Sequence, residues 1–496
     1  MPTTLRLYPT AASWAARLAA VSLFVLSGCA AWAPPEPVAV IQRAESAMGG
    51  AGVKTLRFAG SGTGATFGQA WQPGMAWPKI TVSSFSRLVD YPNAAMRQEA
   101  AVSRAEPSGG GALPLMGLGE QRTVGMLQAN WAWNMVGPAP VAVPVALDAR
   151  IHDLWTTPHG VLKAALKNKA TAGTRTVDGK SYTTLSFTEP GRFEATAYLN
   201  ADNLVERIDS RQPHPVMGDT DSVIVFSGYK DYSGVKFPGR IRQTMGGSDI
   251  LDLQVSEVQV NPSSELAAPE LVRQFAERVA VEKAAEGVWF LAGGTHNSVL
   301  IEMKDHAVLV EAPLYDGRSA ALLAEVRKLV PGKPLRYVVN SHHHFDHAGG
   351  LRTAVAEGAT LVTSANAKTW WDKTMTNANR IRPDALARSG RNANVEGVSG
   401  KRVLNDGVRT VEIHEIQGSV HAQGFLMVYL PAEKILIEAD AFTPGPPNSP
   451  APAQPNANHV NLVQNIEQNK LVVERILPLH GRMVMIADLM TAVGRK

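Results

Sequence analysis

The chain has 496 residues, of which 45% are hydrophobic and 19% are charged. This composition indicates a globular protein of two or three domains and excludes a largely disordered chain. The formal net charge of +4 is too small to indicate nucleic-acid binding, and the single cysteine, Cys29, excludes both an intramolecular disulfide and a thiolate metal site.

The N-terminal segment has the pattern of a secretory signal. Two arginines precede a short apolar run, Leu18–Leu26, which is too short to span a bilayer because a spanning helix needs about 20 apolar residues. The run ends in Leu-Ser-Gly-Cys, which resembles the lipobox of bacterial lipoproteins, where the cysteine carries the lipid. Residues 1–29 are therefore predicted to be a lipoprotein signal peptide with Cys29 as the lipidation site, and residues 30–39 a Pro-rich tether.

The lipobox resemblance implies an exported protein that a lipid anchor holds in the bacterial cell envelope. Ala30 and Ala31 follow the cysteine, and by resemblance to lipoproteins of Gram-negative bacteria this pair favours the outer membrane, facing the periplasm. An ordinary signal peptide with a chance cysteine is the alternative. The expected partners are the membrane lipid and a small-molecule substrate, without nucleic acid, and the oligomeric state is left open.

Residues 40–262 are predicted to form a mainly antiparallel β domain that begins with one helix. Apolar residues recur at helical spacing over Val40–Met48, and a pair of glycines follows. The apolar pattern then has a period of two, in short runs such as Tyr182–Phe187 and Val223–Phe226, which predicts a sheet with one covered face. The helix, the strands and the stretch Tyr229–Pro238 resemble the half-barrel of the outer-membrane lipoprotein-sorting proteins.

Several segments of this domain and its boundary are predicted to be irregular. Gly60–Gly68 lacks both the G-x-G-x-x-G spacing and a following Lys-Ser/Thr pair, so it is interpreted as strand and turn rather than a phosphate loop. Ala105–Gly119 is predicted to be a Gly/Pro-rich loop. Asn261–Ser264 marks the domain boundary, and residues 263–286 are predicted to be a helical connector.

From residue 287 to residue 496 the sequence alternates strand and helix patterns, which predicts an α/β arrangement. Leu335–Val339 is a predicted strand, and the stretch SHHHFDH, residues 341–347, follows its carboxyl end, where α/β sheets place their chemistry.

The stretch SHHHFDH contains part of the ligand set for each of two metal sites. In extended chain His342 and His344 share a side, while Asp346 and His347 follow where the chain turns and can aim at a second point. Zinc binds imidazole and carboxylate and usually takes four ligands, so each half-site needs partners elsewhere. Three residues at strand ends supply them: His421, Asp440 and His480.

The ordered series H-x-H-x-D-H, then His, Asp and His, resembles the ligand series of the metallo-β-lactamase superfamily. The resemblance implies an αββα sandwich over residues 287–496, with the site at one edge. It implies seven ligands. A first ion would be held by His342, His344 and His421, and a second ion by Asp346, His347 and His480, with Asp440 bridging the two. Glu311 stands where the family usually has an outer Asp, and it is expected to support the ligands. His343 and Phe345 are expected to pack or to face solvent.

The same resemblance implies a hydrolase with two divalent ions and a shared hydroxide that Asp346, the expected catalytic residue, orients. Zinc is preferred, and iron and manganese fit similar ligands. Asp440 stands where true β-lactamases commonly carry Cys or Ser, which favours an ester, lactone, thioester or related bond. A β-lactam hydrolase or phosphodiesterase on the same site is the alternative. A lipid- or lipoprotein-binding protein with a vestigial hydrolase domain is a hypothesis of another class.

Some residues near these motifs have two interpretations. Trp370, Trp371 and the segment 374–397 are predicted either to overhang the site or to form a plain surface helix. His296 and His459 are expected at the surface, with a place in the pocket wall as the alternative.

Overall fold

The computed structural model describes residues 36–105 and 119–495. The predicted signal peptide, Cys29, most of the tether and the interior of the loop Ala105–Gly119 lie outside the described residues. Among the helices of the described part, none is long and apolar enough to cross a membrane.

The described part of the N-terminal domain contains three α-helices, a large sheet and a separate hairpin. Its strands are β1 (Thr55–Ala65), β2 (Lys79–Asp90), β3 (Ala95–Arg104), β4 (Gln121–Gln128), β5 (Trp131–Val136), β6 (Ala139–Ala142), β7 (Thr171–Val177), β8 (Lys180–Glu189), β9 (Phe193–Leu199), β10 (Val205–His214), β11 (Gly218–Ser227), β12 (Lys230–Tyr232), β13 (Val235–Phe237), β14 (Arg240–Met245) and β15 (Ser248–Val260). Its helices are α1 (Pro37–Met48), α2 (Leu147–Trp155) and α3 (Pro158–Lys167), and a 3-10 turn spans Pro144–Ala146.

Thirteen of these strands form one sheet in the order β6-β5-β4-β3-β2-β1-β15-β14-β11-β10-β9-β8-β7, while β12 and β13 form a separate hairpin. Every neighbouring pair in the large sheet is antiparallel. Alternate side chains of the strands share one apolar core with the three helices. The predicted antiparallel β domain with one covered face is therefore confirmed.

Helix α1 ends where only glycine fits. Gly49 has a φ of +64°, and a Cβ at this position would lie 1.9 Å from the carbonyl oxygen of Gly234. The missing side chain lets α1 pack directly on the turn between β12 and β13.

The space between the sheet and the α2–α3 turn is filled with side chains. The cavity that remains there, lined by Phe58, Phe226 and Leu253 among others, has a volume of about 20 Å³. A cavity of this size holds about one water molecule. This part of the core therefore has no room for an acyl chain.

The predicted helical connector over residues 263–286 is wrong. Only α4 (Glu270–Arg273) is helical, and β16 (Ala280–Ala285) follows as an edge strand. The run Val-Glu-Lys-Ala-Ala-Glu contains strong helix formers, but pairing with the next strand overrides this local preference.

The C-terminal domain contains two sheets and seven helices. Its further strands are β17 (Val288–Ala292), β18 (Ser298–Glu302), β19 (Ala307–Val310), β20 (Leu335–Val339), β21 (Thr360–Ser364), β22 (Val395–Val398), β23 (Lys401–Asn405), β24 (Thr410–Glu415), β25 (Leu426–Leu430), β26 (Ile435–Glu438), β27 (Arg475–Pro478) and β28 (Val484–Met485). Its helices are α5 (Asp316–Leu329), α6 (Phe345–Ala348), α7 (Leu351–Ala356), α8 (Ala365–Thr374), α9 (Ala385–Ser389), α10 (Ala457–Gln468) and α11 (Ile486–Ala492).

The two sheets pack face to face and helices cover both outer faces. The first sheet has the order β16 to β22 and the second the order β23 to β28. One apolar core lies between the sheets and reaches α10 and α11, and another lies between the first sheet and α5, α7 and α8. The predicted αββα sandwich is therefore confirmed.

The segment 374–397 has a role that neither interpretation anticipated. Trp371, just before it, is 1% exposed and belongs to the core under α8. The segment itself binds the β10–β11 turn of the N-terminal domain, where Asp219 donates its backbone N–H to the carbonyl of Ala378 at 2.7 Å and Asn377 donates to the carbonyl of Met217 at 2.9 Å. It therefore joins the two domains.

Candidate metal centre

The SHHHFDH loop lies between β20 and α7. Extended backbone at His344 continues into the short helix α6, which carries Asp346 and His347. Gly349 follows, and a Cβ there would lie 1.8 Å from the carbonyl oxygen of Leu314. Glycine therefore lets the loop pack closely against the segment that follows β19.

Three imidazoles and one carboxylate converge in a first cluster. Nε2 of His342 lies 2.9 Å from Nδ1 of His344, and Nε2 of His421 lies 3.1 and 3.0 Å from these two atoms. Oδ2 of Asp440 is 2.9 Å from Nε2 of His421. All four residues are buried. The structure thus brings together the residues predicted for the first ion and the bridging position.

A second cluster lies beside the first. Nε2 of His480 is 3.1 Å from Nε2 of His347, and Oδ2 of Asp346 is 3.7 Å from the same atom of His347. His296 joins them, because its Nε2 lies 3.2 Å from Oδ2 of Asp346. The residues predicted for the second ion are therefore also together.

Asp440 faces both clusters. Its Oδ2 points to the first cluster, while its Oδ1 lies 2.9 Å from Nε2 of His480 and 3.1 Å from Nε2 of His347. This Oδ1 is buried, yet it accepts no hydrogen bond of good geometry within the described residues. A buried carboxylate oxygen without such a bond is costly unless a cation sits against it.

Outer contacts turn one ring nitrogen of three of the histidines away from the clusters. His347 donates through Nδ1 to Glu311 at 2.7 Å, and His480 donates through Nδ1 to the carbonyl of Thr295 at 3.0 Å. His344 donates through Nε2 to the carbonyl of Ala70 at 3.0 Å. A neutral imidazole has one N–H, so the opposite nitrogen of each of these rings offers a lone pair to its cluster when the ring is neutral.

Glu311 lies outside the two clusters and contacts His347, one of the predicted ligands. It is completely buried, bonds His347 and also accepts a hydrogen bond from the hydroxyl of Ser341. Its φ is +63°, an uncommon conformation for a residue with a side chain. The strained backbone and the longer side chain together bring the carboxylate to His347.

The charge states of these groups favour metal binding. Burial lowers the pKa of His342 and of His344 well below the ordinary value, so both rings are neutral. Burial raises the pKa of the Asp346 carboxyl, but His347 and His296 outweigh this and lower the pKa well below its usual range. These two rings and the Asp346 carboxylate are therefore in the forms that metals bind. Burial lowers the pKa of His347, but Glu311, Asp440 and Asp346 outweigh this and raise it well above the ordinary value, so this ring releases a proton when it binds a metal.

The spacing of the donor atoms also fits a metal ion. Four ligands bound to zinc at about 2.0–2.1 Å lie roughly 3.3 Å apart at the corners of a tetrahedron. Five of the six donor-atom separations in the first cluster run from 2.9 to 3.7 Å. Three ring nitrogens this close cannot all be satisfied by hydrogen bonds to one another, whereas a cation between them satisfies all three.

The sequence profile of the metallo-beta-lactamase superfamily matches residues 291–460. The C-terminal domain belongs to the metallo-β-lactamase superfamily. This confirms the family predicted from the ordered ligand series. The match ends before His480, so the place of that residue in the second cluster rests on the structure of this chain. The fold is one for metal-binding hydrolases, and the two clusters are compatible with a pair of metal ions.

Similar solved structures include three proteins with low sequence identity. They are a metallo-beta-lactamase from Pontibacter korlensis (17% identity, 44% of this chain and 98% of that one, TM-score 0.34), the metallo-beta-lactamase FIM-1 from Pseudomonas aeruginosa in its mono-zinc form (18%, 44% and 93%, 0.33), and rubredoxin oxygen:oxidoreductase from Desulfovibrio gigas (16%, 43% and 61%, 0.34). The comparison with curated proteins gave no match.

Two histidines differ from the sequence-based expectation. His296 is buried rather than at the surface, because Asn297 donates its backbone N–H to the carbonyl of Leu479 at 2.8 Å and holds this segment against the end of β27. His459 is half-buried and lines a cavity of about 480 Å³ with Phe442. No local signal distinguished either residue from a surface histidine. His343 packs as expected, bonded to the carbonyl of Ala70.

Proposed function

We propose that this protein is a hydrolase that uses two divalent metal ions, preferably zinc, to cleave an ester, lactone, thioester or related bond. The observation that carries the proposal is the position of Asp440, whose two oxygens each lie about 2.9 Å from a ring nitrogen of a different cluster. One carboxylate shared between two sets of imidazoles is the arrangement that a pair of ions needs.

His342, His344 and His421 would hold the first ion, and Asp346, His347 and His480 the second, with Asp440 between them. When bound, such a pair supplies acidified water and positive charge for the oxygen of a carbonyl or phosphoryl group.

Side chains around the site orient the reacting groups and the metal ligands. The side chain of Asp346 is 32% exposed while that of Asp440 is 3% exposed, so Asp346 is the carboxylate that can meet both the attacking water and the substrate. Glu311 keeps His347 turned toward the site. The buried walls around the histidines exclude bulk water, which strengthens every electrostatic contact.

The identity of residue 440 disfavours a β-lactam as the substrate. By resemblance, an Asp at this position is typical of the glyoxalase-II, lactonase and phosphodiesterase branches of the superfamily, whereas the β-lactamases commonly carry Cys or Ser there. A β-lactam or a phosphodiester would use the same residues, so both belong in the test. The cavity under the α2–α3 turn, at about 20 Å³, gives no support to lipid binding at that place in the N-terminal domain.

Metal content and turnover test the proposal directly. We expect the purified protein to hold two zinc ions per chain and to turn over a chromogenic ester, lactone or thioester. Stripping the ions with a chelator is expected to abolish turnover, and adding zinc back to restore it. A phosphodiester and a cephalosporin serve as comparison substrates. A protein that holds no ion after dialysis against zinc would contradict the proposal.

We also propose that the protein acts in the cell envelope, anchored through lipid on Cys29 and facing the periplasm from the outer membrane. Replacing Cys29 with alanine removes the thiol that would carry the lipid. The variant is expected to move from the membrane fraction to the soluble fraction while keeping its metal content. If the variant stays with the membrane, the lipid anchor is wrong.

A further inference from the structure

A loop of the N-terminal domain reaches the metal centre of the C-terminal domain. This cross-domain loop, residues 66–78, connects β1 to β2. Its backbone binds both ligand-bearing segments: Phe345 donates its N–H to the carbonyl of Gly68 at 3.2 Å, and Gln423 donates its N–H to the carbonyl of Trp71 at 2.9 Å. The loop thus lies against the segments that carry His344 and His421.

Aromatic packing holds the cross-domain loop in place. The rings of Phe67 and Trp77 each lie with their centroids 5.4 Å from that of Phe345, and His214 lies at 5.0 Å. Burial lowers the pKa of His214 to about 4, so this ring is neutral at physiological pH and adds no charge to the cluster. The contacts join the domains through apolar surface beside the metal ligands.

Gly68 allows the close approach of the loop. It has a φ of +84°, and a Cβ there would lie 2.6 Å from the ring of Phe345. A side chain at this position would push the loop away from the metal centre.

The loop contacts one residue of each metal cluster. The carbonyl of Ala70 accepts the Nε2 hydrogen of His344 at 3.0 Å, which leaves Nδ1 of that ring for the first ion. Gln69 donates through Nε2 to Oδ1 of Asp346 at 2.9 Å, which leaves Oδ2 facing the second cluster. Contacts of this kind fix the orientation of a metal ligand and commonly change metal affinity 10- to 100-fold.

We infer that the N-terminal domain is an integral part of the metal centre, with Gln69 as a positioning residue for Asp346. The inference rests on the proposed two-metal site and extends it across the domain boundary. A sheet domain that supplies a residue to orient a metal ligand has a role beyond that of a tether or a separate lipid-binding module. The metal centre of this chain would then be complete only when both domains are folded and docked.

The test compares zinc affinity among variants of the full chain, measured by competition with a chromophoric chelator. Gln69→Ala is expected to weaken the second ion about 10- to 100-fold and to leave the first ion unchanged. Gln69→Glu keeps the shape but places a carboxylate against Asp346, and is expected to weaken the second ion at least as much. His480→Ala lacks a ligand of the second ion. Its zinc titration therefore shows which of the two affinities belongs to the first ion.

Gln72→Ala is the matched control, because Gln72 lies in the same loop and bonds the side chain of Gln423 rather than a predicted ligand. We expect it to bind both ions like the native protein. The melting temperature of the metal-free protein should be the same for all these variants, and the increase on adding zinc should be smaller only where the second ion binds weakly.

The outcomes separate the two proposals. If the native protein binds no ion, the proposed function fails. If the native protein binds two ions and both Gln69 variants do the same with native affinity, the role of Gln69 is overturned. The role is also overturned if Gln69→Ala lowers the melting temperature of the metal-free protein and weakens both ions equally, because that pattern indicates a loss of folding.

Discussion

Replacing Asp440 with alanine is expected to release both metal ions, whereas replacing His421 or His480 is expected to release only one. The reason is that each oxygen of Asp440 faces a different cluster, while His421 contacts only the first and His480 only the second. Loss of Asp440 also removes the negative charge that lies between the two groups of imidazoles, so the remaining ligands attract a cation less strongly.

The measurement is zinc per chain after dialysis, together with turnover of a substrate that the native protein hydrolyses. We expect Asp440→Ala to lose more than the roughly 10- to 100-fold typical of an outer contact, both in metal affinity and in kcat. Asp440→Asn is the matched control of equal shape. Its one remaining oxygen can serve one ion, so it should hold at most one zinc per chain.

Two other results would each contradict one part of the role assigned to Asp440. If Asp440→Ala keeps two ions, the carboxylate is no bridge and the other six predicted ligands are sufficient to hold both ions. If it loses only the second ion, Asp440 belongs to that cluster and its contact with His421 is structural.

The seven residues that the structure brings together in the two clusters could be predicted from sequence because their signal is partly local. His342, His344, Asp346 and His347 occupy one loop, and the geometry of extended chain followed by a turn already divides them into two pairs. Their distant partners each lie at the end of an apolar strand, where a sheet edge gathers residues. Order along the chain then restricted the choice to one family.

The contribution of the N-terminal domain could not be predicted in the same way. Gln69 and Asp346 are 277 positions apart, and nothing in the stretch around Gln69 differs from an ordinary strand-to-turn sequence. Only docking of the domains creates the contact. His296 was missed for a similar reason, since its burial depends on a backbone bond to the distant end of β27.

The segment 263–286 shows the limit of local preference. Its residues favour a helix when considered alone, yet Ala280–Ala285 forms a strand because β17 offers an unpaired edge. Such long-range pairing is a property of the assembled sheet, so composition within the segment contains no signal for it.

Replacing Asp346 with asparagine is expected to lower kcat about 10²- to 10⁴-fold, the range typical of a positioned acid or base. Gln69 donates to Oδ1, so the amide oxygen of the variant should stay with Gln69 and its NH₂ group should face the second cluster. That group can neither bind a cation nor accept a proton from water. The variant therefore loses both the ligand and the orienting carboxylate while keeping the shape of the site.

The kinetic measurement separates these two losses. At a zinc concentration that fills both sites, as determined by metal analysis, a defect in metal affinity disappears and a defect in catalysis remains. We expect most of the fall in kcat to persist under these conditions, with KM nearly unchanged, because Asp346 would act on the attacking water rather than on binding of the substrate. Full recovery of kcat with added zinc would instead limit Asp346 to holding the second ion, and the residue that orients the water would have to be sought elsewhere, with His296 the nearest candidate at 3.2 Å from Asp346.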